Sequence, residues 1–230
     1  MFDKPLLDQQ LAVVAECGIS DVSLVTGYAA EALSGYGTRQ FHNAAFATTN
    51  MVASLFEAHE LFDQRADLIV AYGDIVYSAS VLRALVATPA SLSTVVDLNW
   101  RALWCERMDN PLEDAEKLKI SKQGLLTEIG GNPGNIDDIE GQYIGLTKIT
   151  ASAQHAVLAC YRGLAADDKN PSYDKLDMTG FLQLLIDGGT PVAPVPINGG
   201  WLEVDTVEDR ARYERLRARG QLDRFFRPVI

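Results

Sequence analysis

The spacing of apolar residues changes repeatedly along the chain between a helical period and a strand period. In the segment PLLDQQLAVVAEC, Leu7, Leu11 and Val14 recur at helical spacing, with Pro5 near the first turn and Gly18 just past the end. The next segment, DVSLVTG, alternates apolar and polar residues with a period of two. The first pattern predicts an amphipathic helix, and the second predicts a half-buried strand.

The rest of the chain continues this succession of predicted strands and helices. The apolar run DLIVAYGD predicts a strand buried on both faces, whereas the prolines of TPVAPVPI favour a sheet edge. Thr48 or Thr49 is the expected N-cap of the helix TTNMVASLFEAHELF. The other strand patterns are RQFHN, SLSTVVDL, QYIGLTKI and WLEV, with EKLKI and LLTEI as a hairpin, and the other helical patterns are AAEALSGYG, SASVLRALVA, residues 151–164, residues 178–187 and TVEDRARYERLRARG.

Strands that alternate with helices predict an α/β fold in which helices cover both faces of one sheet. No internal repeat or linker divides the chain, so we expect residues 1–230 to form a single domain. A stretch rich in Gly, Asn and Asp interrupts the alternation near residues 107–142. We expect a small β insertion there.

The overall composition restricts the partners of the protein. The 230 residues are 47% hydrophobic, 22% charged and 8% aromatic, which is typical of a globular protein with an ordinary core. The 20 basic and 31 acidic residues give a net charge of −11, so binding to nucleic acid or to an anionic membrane is not expected. A phosphorylated ligand remains compatible with this charge if a divalent cation lies between the ligand and the protein.

Neither the start of the chain nor its cysteines indicate export, a membrane span or a zinc site. The start, MFDKPLLDQQ, lacks a basic region followed by an apolar one, and no apolar run approaches ~18 residues, so we expect a cytoplasmic protein. Cys17, Cys105 and Cys160 are far apart and in no C-x-x-C spacing. This favours three small core residues over a disulfide framework or a zinc site.

Two acidic segments stand where predicted strands end. Asp74 leaves its strand through Gly73, and Asp205 follows WLEV with Glu203 two positions earlier, on the same face of the strand. Ligands of open α/β sheets bind outside the carboxyl ends of the strands. Carboxylates that converge there repel one another unless a cation lies between them, and Mg²⁺ with its oxygen ligands fits this requirement.

Plainer interpretations stay open for both of these aspartates. Asp74 could simply begin a turn after its strand. Asp205, with Glu208 three residues later, could form a capping box for the last helix. In either case the carboxylate would stabilise the backbone and would bind no metal.

Five segments together carry a resemblance to a known enzyme family. The segments TTNMVASL, YGDIVY, QYIGL, DMTGFLQLL and GGWLEVDTVED, in this order and at these spacings, resemble the sugar-phosphate-type nucleotidyltransferases. Within that family the chain is similar to the small cytidylyltransferases that act on phosphocholine or aminoethylphosphonate, including domains associated with phosphoenolpyruvate mutase. The resemblance covers nearly the whole chain.

The resemblance implies a Rossmann-like fold with a mixed, mainly parallel sheet. In the implied reaction, a phosphate or phosphonate oxygen of a small acceptor attacks the α-phosphate of a nucleoside triphosphate, with CTP favoured, and pyrophosphate is released. The resemblance also implies Mg²⁺ bound by Asp74 and Asp205. Glu203 then becomes a third metal ligand, a residue that supports the ligands, or a contact for a cationic substrate group. The oligomeric state stays open, a homodimer included.

The resemblance gives a meaning to weaker features as well. Lys117 matches a catalytic lysine that reaches towards the phosphates in the family, with an exposed hairpin lysine as the alternative. Thr49 and Asn50 match a T-N motif that opens a helix beside the acceptor or base site. The alternative for Thr49 is a simple N-cap.

Further matches concern the acceptor pocket. Gln142, Tyr143 and Gly145 match a strand that lines this pocket in the family, and a glycine in mid-strand often marks close approach to the backbone by a ligand. Trp201 is the aromatic residue that we expect near a quaternary ammonium, because a cation over an indole face gains roughly 0.5–2 kcal/mol. A core position is the alternative for Trp201.

The phosphate-binding segment of the family, L-A-A-G-x-G-x-R with a following P-K lysine, has no counterpart in this sequence. MFDKPLLDQQL resembles the segment just after that loop, so we expect the first strand of the family fold to be missing. Either Met1 is an internal methionine of a longer protein, which the unpaired interior strand position favours, or the product is truncated and inactive. Two other classes stay open: a non-catalytic binding or regulatory module, and a nucleotide-sugar-dependent glycosyltransferase, for whose D-x-D motif VVDLNW offers only Asp97.

Overall fold

Strands and helices alternate along residues 1–167 and 172–228, which are the residues that the structure, a computed structural model, describes. The strands are β1 (Ser23–Thr26), β2 (Arg39–His42), β3 (Leu68–Ala71), β4 (Ile75–Tyr77), β5 (Leu92–Asp97), β6 (Leu118–Ile120), β7 (Leu126–Ile129), β8 (Gln142–Ile149), β9 (Ala193–Ile197) and β10 (Trp201–Glu203). The helices are α1 (Leu6–Glu16), α2 (Met51–Glu57), α3 (Ala79–Ala87), α4 (Trp100–Arg107), α5 (Ala151–Ala165), α6 (Met178–Asp187) and α7 (Val207–Ala218). Most of the predicted elements are present, in the predicted order.

Some local predictions need correction. The sequence did not predict β4 or α4, and AAEALSGYG contains only a 3-10 turn, Ala30–Leu33. The N-cap of α2 is Asn50, whose Oδ1 accepts a hydrogen bond from the Met51 N–H over 2.8 Å. The hydroxyl of Thr49 instead donates to the Ala45 carbonyl oxygen and accepts from the Asn43 amide, so neither Thr48 nor Thr49 is the N-cap. Cys105 is exposed on α4 and is not a core residue.

Strands β3, β8, β5 and β9 form the central sheet in that order. β8 is antiparallel to both β3 and β5, whereas β9 is parallel to β5. Three of the four strands therefore run in the same direction, as expected for a mainly parallel sheet, but only one of its three pairings is parallel. The reason is that β8 returns from the inserted hairpin in the reverse direction and lies between β3 and β5. Among the described strands β9 pairs only with β5, which confirms its predicted edge position.

The remaining strands form three separate pairs. β1 and β2 are parallel, and β6 and β7 form the predicted antiparallel hairpin within the insertion. β10 does not join the central sheet, because it pairs antiparallel with β4. This last pair sets the position of the acidic residues that flank it.

One edge of β3 is open. In the described part of the chain, β3 pairs only with β8, and β1 pairs only with β2. Leu68, Ile69 and Val70 are consequently half-buried and Ala71 is exposed, so the prediction of a strand buried on both faces is wrong.

Apolar side chains cover both faces of the central sheet. Val95 and Val96 of β5 point to opposite faces and belong to two different cores. The first core contains side chains of α3, α4 and α7, and the second contains side chains of α2, α5 and α6. These layers confirm the predicted α/β fold, while one domain over residues 1–230 stays a prediction. None of the described helices has the length and apolar character needed to cross a membrane.

Candidate active site

Asp74 and Asp205 lie close together although they are far apart in the sequence. The strand pair of β4 and β10 aligns Ile75 with Glu203. Just beyond it, the Val204 N–H donates to the carbonyl oxygen of Asp74 over 2.8 Å. Burial, and after it the negative charge of Asp205, raise the pKa of Asp74. The expected convergence of the two aspartates is therefore present in the structure.

The carboxylate of Asp74 is only partly satisfied by the protein. Its Oδ1 atom is buried and has no hydrogen-bond partner among the described residues. A buried carboxylate oxygen without a donor is unfavourable, because it has lost water and gained nothing in exchange. A plain turn would not require this arrangement, whereas a bound cation would satisfy it.

A buried arginine binds the acidic residues on the β10 side of this pair. The Arg107 side chain is only 3% exposed; its Nη2 group donates to Asp205 Oδ2 over 2.5 Å, and its Nη1 group donates to Glu203 Oε2. Its Nε group also donates to Asp209 Oδ1 over 3.3 Å. Burial alone would lower the pKa of Arg107, but the charges of Glu203 and Asp209 raise it above its ordinary value. We call these four residues the Arg107 cluster.

Sequence reasoning missed Arg107 because it did not predict α4. Trp100, Leu103, Trp104 and Arg107 are the buried residues of this helix, at positions i, i+3, i+4 and i+7. This helical spacing could have indicated α4 in the sequence. The fourth of these positions is occupied by Arg107, however, and a charged residue normally indicates an exposed position.

The capping box of α7 lies one residue further along than the sequence suggested. The Thr206 hydroxyl accepts from the Asp209 N–H over 3.0 Å, and Asp209 Oδ2 accepts from the Thr206 N–H over 3.3 Å. Asp205 and Glu208 therefore form no capping box, and that interpretation is wrong. The Oδ1 atom of Asp205 bonds no described residue, and 38% of its side chain is exposed.

The donors available for a metal ion are few. Within residues 1–167 and 172–228, no group of three or more His, Cys, Asp or Glu side chains is arranged to hold a metal. Glu203 is engaged by Arg107, which favours a supporting role over that of a third ligand. The residues that could hold a divalent cation are Asp74 and Asp205, each with one carboxylate oxygen free of protein partners.

A second acidic cluster contains two aromatic rings. The rings of Tyr72 and Tyr143 meet edge to face, with their centroids 5.6 Å apart, and the charges of Glu116 and Asp177 act on Tyr72. The Thr179 hydroxyl donates to Glu116 Oε1 over 3.1 Å. Burial raises the pKa of Glu116 to about 7, against this hydrogen bond and together with the charge of Asp177. We call Tyr72, Glu116, Tyr143 and Asp177 the Glu116 cluster.

Asp114 connects the two clusters. Its Oδ2 atom accepts from the indole N–H of Trp104 over 2.9 Å and lies 3.8 Å from Arg107 Nη1. Its charge acts on Glu203 on one side and on Glu116 on the other. The two clusters therefore form one continuous acidic site.

Two comparisons of the whole sequence bear on this site. The sequence profile of the MobA-like NTP transferase domain matches residues 1–124. The chain is also 34% identical over 220 residues to the CTP:phosphoglutamine cytidylyltransferase of Campylobacter jejuni, covering 90% of this chain and 86% of that protein. The chain belongs to the MobA-like NTP transferase family. It is a nucleotidyltransferase, and it is homologous to a cytidylyltransferase.

Solved structures show the same nucleotidyltransferase fold. The inositol-1-phosphate CTP transferase of T. maritima superposes with a TM-score of 0.67 at 14% identity, over 96% of this chain and 84% of that one. The CTP:phosphocholine cytidylyltransferase of Streptococcus pneumoniae gives a TM-score of 0.66 at 16% identity, over 94% and 86% of the two chains. The Rossmann-like α/β fold expected from the resemblance is confirmed.

In this nucleotidyltransferase, three residues predicted to line the acceptor pocket have different positions. Tyr143 belongs to the Glu116 cluster. Gln142 is 4% exposed, and its amide exchanges hydrogen bonds with the backbone N–H and carbonyl of Glu116, so it supports that residue. Gly145 has a φ of +80°, and a Cβ atom there would lie 2.6 Å from the Tyr72 ring. The close approach at Gly145 is thus made by Tyr72, where the sequence suggested a ligand.

Trp201 is a core residue of the nucleotidyltransferase. Its side chain is 1% exposed, and its indole N–H donates to Asp97 Oδ2 over 2.9 Å. This favours the core alternative, because a buried ring cannot contact a quaternary ammonium. Asp97 Oδ1 accepts from the N–H groups of Asn99 and Gly199 over 2.9 and 3.0 Å. Asp97 is therefore satisfied by the protein, which removes the candidate ligand of a glycosyltransferase.

The other predicted substrate-binding residues lie in two places. Thr49 and Asn50 precede α2, where the Asn50 amide donates to the Lys175 carbonyl oxygen over 3.1 Å, two residues before Asp177. Lys117 follows Glu116 directly, and its ammonium makes no hydrogen bond or ion pair with any other residue that the structure describes. The substrate roles of these three residues stay predictions.

Proposed function

We propose that this nucleotidyltransferase transfers a cytidylyl group from CTP to a small phosphate or phosphonate acceptor. An oxygen of the acceptor forms a bond to the α-phosphorus of CTP, and the bond from that phosphorus to pyrophosphate breaks. Such a reaction depends mainly on holding two anionic groups in line and stabilising their charge. The name of the Campylobacter jejuni relative, which specifies CTP and phosphoglutamine, supports this choice of nucleotide and of acceptor class.

The observation that carries the proposal is the convergence of Asp74 and Asp205 beside the β4–β10 pair, with Asp74 Oδ1 buried and unpartnered. We propose that these two carboxylates bind Mg²⁺. Two hard oxygen donors suit this ion, which keeps several waters and completes its coordination with substrate phosphates. Bound Mg²⁺ supplies charge neutralisation for the phosphates. A chain with a net charge of −11 needs such a cation to accept CTP at an acidic site.

The Glu116 cluster supports an acceptor with a cationic ammonium group, either a protonated amine or a quaternary ammonium, and we call both kinds amine-bearing acceptors. No described Lys or Arg side chain forms an ion pair with Glu116 or Asp177. A ligand ammonium group would neutralise these carboxylates and could contact the rings of Tyr72 and Tyr143. Phosphocholine, 2-aminoethylphosphonate and phosphoglutamine carry such a group, whereas a sugar phosphate does not. We therefore favour the amine-bearing acceptors.

The position of Lys117 fits a contact with phosphate. It lies between the Glu116 cluster and β6, and its ammonium is free of described partners. Thr49 and Asn50 could contact the acceptor or the cytosine base from the start of α2, although their side chains already bond to the Ala45 and Lys175 carbonyl groups.

We propose in addition that the protein acts in the cytoplasm. The use of CTP is consistent with this location.

Pyrophosphate release tests the proposal. The chain is incubated with Mg²⁺, each of CTP, UTP, ATP and GTP, and each of phosphocholine, 2-aminoethylphosphonate, phosphoglutamine and inositol 1-phosphate. We expect release with CTP and an amine-bearing acceptor. Asp74→Asn and Asp205→Asn should each lower kcat/KM by roughly 10²–10³-fold, as expected when one electrostatic contact of a transition state is lost. Asp223→Asn is the control, because Asp223 is exposed and pairs with Arg227 away from the site.

Two results would overturn the proposal. Acceptor binding without pyrophosphate release from any nucleotide would indicate a binding module. Activity that survives both Asp74→Asn and Asp205→Asn would show that these residues do not hold the catalytic metal.

A further inference from the structure

Arg107 has an unusual environment for a charged side chain. It ends α4, its side chain is 3% exposed, and its guanidinium carbon lies 5.5 Å from the centre of the Trp104 ring. Burying a guanidinium costs several kcal/mol unless its donors are satisfied, and breaking such a network leaves unpaired charges. The position is therefore maintained by specific contacts.

The guanidinium of Arg107 binds carboxylates from three successive segments of the chain. Nη1 donates to Glu203 at the end of β10, and Nη2 donates to Asp205, between β10 and α7, over 2.5 Å. Nε and Nη2 donate to Asp209, in the first turn of α7, over 3.3 and 3.4 Å. A planar fork with five N–H groups can hold three carboxylates at fixed angles, which the single ammonium of lysine cannot. The contacts thus depend on the shape of the arginine as well as on its charge.

The Asp209 contact anchors this arrangement to the rest of the fold. Asp209 is 4% exposed and accepts from the Thr206 N–H in the capping box of α7. The backbone of Arg107 is held in addition, because Arg212 on α7 donates to the Arg107 carbonyl oxygen. The guanidinium therefore has a fixed position relative to α7 and β10.

Asp205 differs from the other two carboxylates in this cluster. Its side chain is 38% exposed, whereas those of Glu203 and Asp209 are 22% and 6% exposed. An exposed aspartate outside helices and strands would normally sample several rotamers. The contact from Arg107 to Oδ2 restricts this motion and leaves Oδ1 without a partner among the described residues, while the charge of Asp205 acts on Asp74.

We propose that Arg107 is a positioning residue that orients Asp205 so that one of its oxygens and one oxygen of Asp74 bind the same divalent cation. This inference rests on the proposed metal site. Partners that orient a metal ligand typically change metal affinity by about 10–100-fold when they are replaced. A structural ion pair without this role would change stability and leave metal affinity unaltered.

The test measures Mn²⁺ binding, in place of Mg²⁺, by electron paramagnetic resonance of free Mn²⁺ and by calorimetry, without nucleotide. Arg107→Lys keeps the positive charge and loses the fork, so we expect Mn²⁺ to bind about 10–100-fold more weakly. Arg224→Lys is the matched control, because Arg224 pairs with Glu106 on the same helix α4 and has no contact with the Arg107 cluster among the described residues, so this variant should bind Mn²⁺ like the parent protein.

Wild-type affinity in Arg107→Lys would overturn the inference. Tighter Mn²⁺ binding in Arg107→Met would do so as well, because it would show Arg107 to be only a cation that repels the metal. If Arg107→Lys does not fold, as judged by circular dichroism, Asp209→Asn provides the test. It keeps an oxygen for the capping box but weakens one anchor of Arg107, and unaltered Mn²⁺ affinity would contradict the inference.

The wild-type titration separates this inference from the proposed function. If the parent protein does not bind Mn²⁺, or if Asp205→Asn binds it as tightly as the parent protein, the metal site itself is wrong. If the parent protein binds Mn²⁺ and Asp205→Asn does not, the result for Arg107→Lys decides the role of Arg107 alone.

Discussion

The Arg107 cluster and the Glu116 cluster both place carboxylates close together, but they balance the charge differently. In the Arg107 cluster, one buried guanidinium binds Glu203, Asp205 and Asp209. In the Glu116 cluster, no described lysine or arginine side chain pairs with the carboxylates, and Glu116 has a pKa raised to about 7. The first cluster is held in one geometry by its own cation. The second has no cation of its own within the described part of the chain, and a proton or a ligand can supply the positive charge.

We infer from this difference that the two clusters have different roles in the site. A carboxylate that orients a metal must be held in place, so an internal arginine is useful there. A carboxylate that recognises a cationic substrate must stay unpaired, because an internal cation would compete with the ligand. We expect loss of charge in the two clusters to have opposite effects on stability.

The largest expected effect is that of Arg107→Met. Removing the buried cation leaves Glu203 and Asp209 without their partner, so we expect the free energy of unfolding to fall by about 3–5 kcal/mol. Urea denaturation at pH 8 measures this. Arg83→Met is the control, because Arg83 and Glu16 form an exposed pair whose loss should cost less than ~1 kcal/mol. Equal losses in the two variants would mean that the Arg107 cluster is no more than a surface ion pair.

The next effect concerns the backbone beneath the Glu116 cluster. In Gly145→Ala, the new Cβ atom would lie 2.6 Å from the Tyr72 ring, at a backbone φ of +80°. We expect a loss of about 2–3 kcal/mol in unfolding free energy, from overpacking and from backbone strain, together with a raised KM for the acceptor. Gly163→Ala, in α5 with open space around it, should instead stabilise the protein by roughly 0.5–1 kcal/mol. Steady-state kinetics and urea denaturation of both variants check this. An unaltered acceptor KM in Gly145→Ala would show that Tyr72 does not contribute to acceptor binding.

A more moderate effect is expected for acceptor binding in Glu116→Gln. Loss of a charged partner for the ligand ammonium should raise the KM of an amine-bearing acceptor by about tenfold or more, while the KM of CTP stays the same. Initial rates of pyrophosphate release give both constants. Glu113→Gln, an exposed change three residues away, is the control. A similar rise in the KM of inositol 1-phosphate, which has no amine, would contradict the role of Glu116 in charge recognition.

The smallest effect is a pH dependence of stability. Glu116 has an ordinary pKa of 4.5 and a pKa raised to about 7 in the folded protein, mainly because it is buried. The folded state therefore binds this proton more tightly, and the stability contributed by Glu116 is fully present below pH 4.5 and is lost as the pH rises through 7. Solvent screening of the half-buried group limits the loss to about 1–2 kcal/mol.

Urea denaturation between pH 4 and pH 8 can detect this loss. We expect Glu116→Gln to show a flatter profile than the parent protein and to be the more stable of the two above pH 7. The opposite order above pH 7 would show that the ionised Glu116 carboxylate stabilises the fold.

Much of the fold could be predicted from the sequence. Leu7, Leu11 and Val14 indicated α1, and the prolines of TPVAPVPI indicated the edge strand β9, because these signals arise between close neighbours in the chain. The prediction for DLIVAYGD failed, since burial of β3 depends on a neighbouring strand and not on the strand's own residues. α4 was missed because its buried face carries Arg107.

The candidate site was predictable to a similar degree. Asp74 and Asp205 could be selected because each follows a strand pattern, but the pairing of β4 with β10 that brings them together was not predicted, since β4 was missed. Trp201 could be given two interpretations, and only its contact with Asp97 separated them. At Gly145 the sequence suggested a ligand, and only the structure showed that the Tyr72 ring lies there.

The sequence by itself determined most of the order of the elements and the family, and it selected the two aspartates as candidates, because periodicity and local motifs depend on residues a few positions apart. The tertiary structure alone decided that Arg107 binds Asp205 and that, among the residues that the structure describes, Asp74 Oδ1 has no donor and Glu116 has no cationic partner. These properties depend on burial and on contacts between distant segments. Whether a carboxylate is held by the protein or left for a ligand is therefore fixed only when the chain has folded.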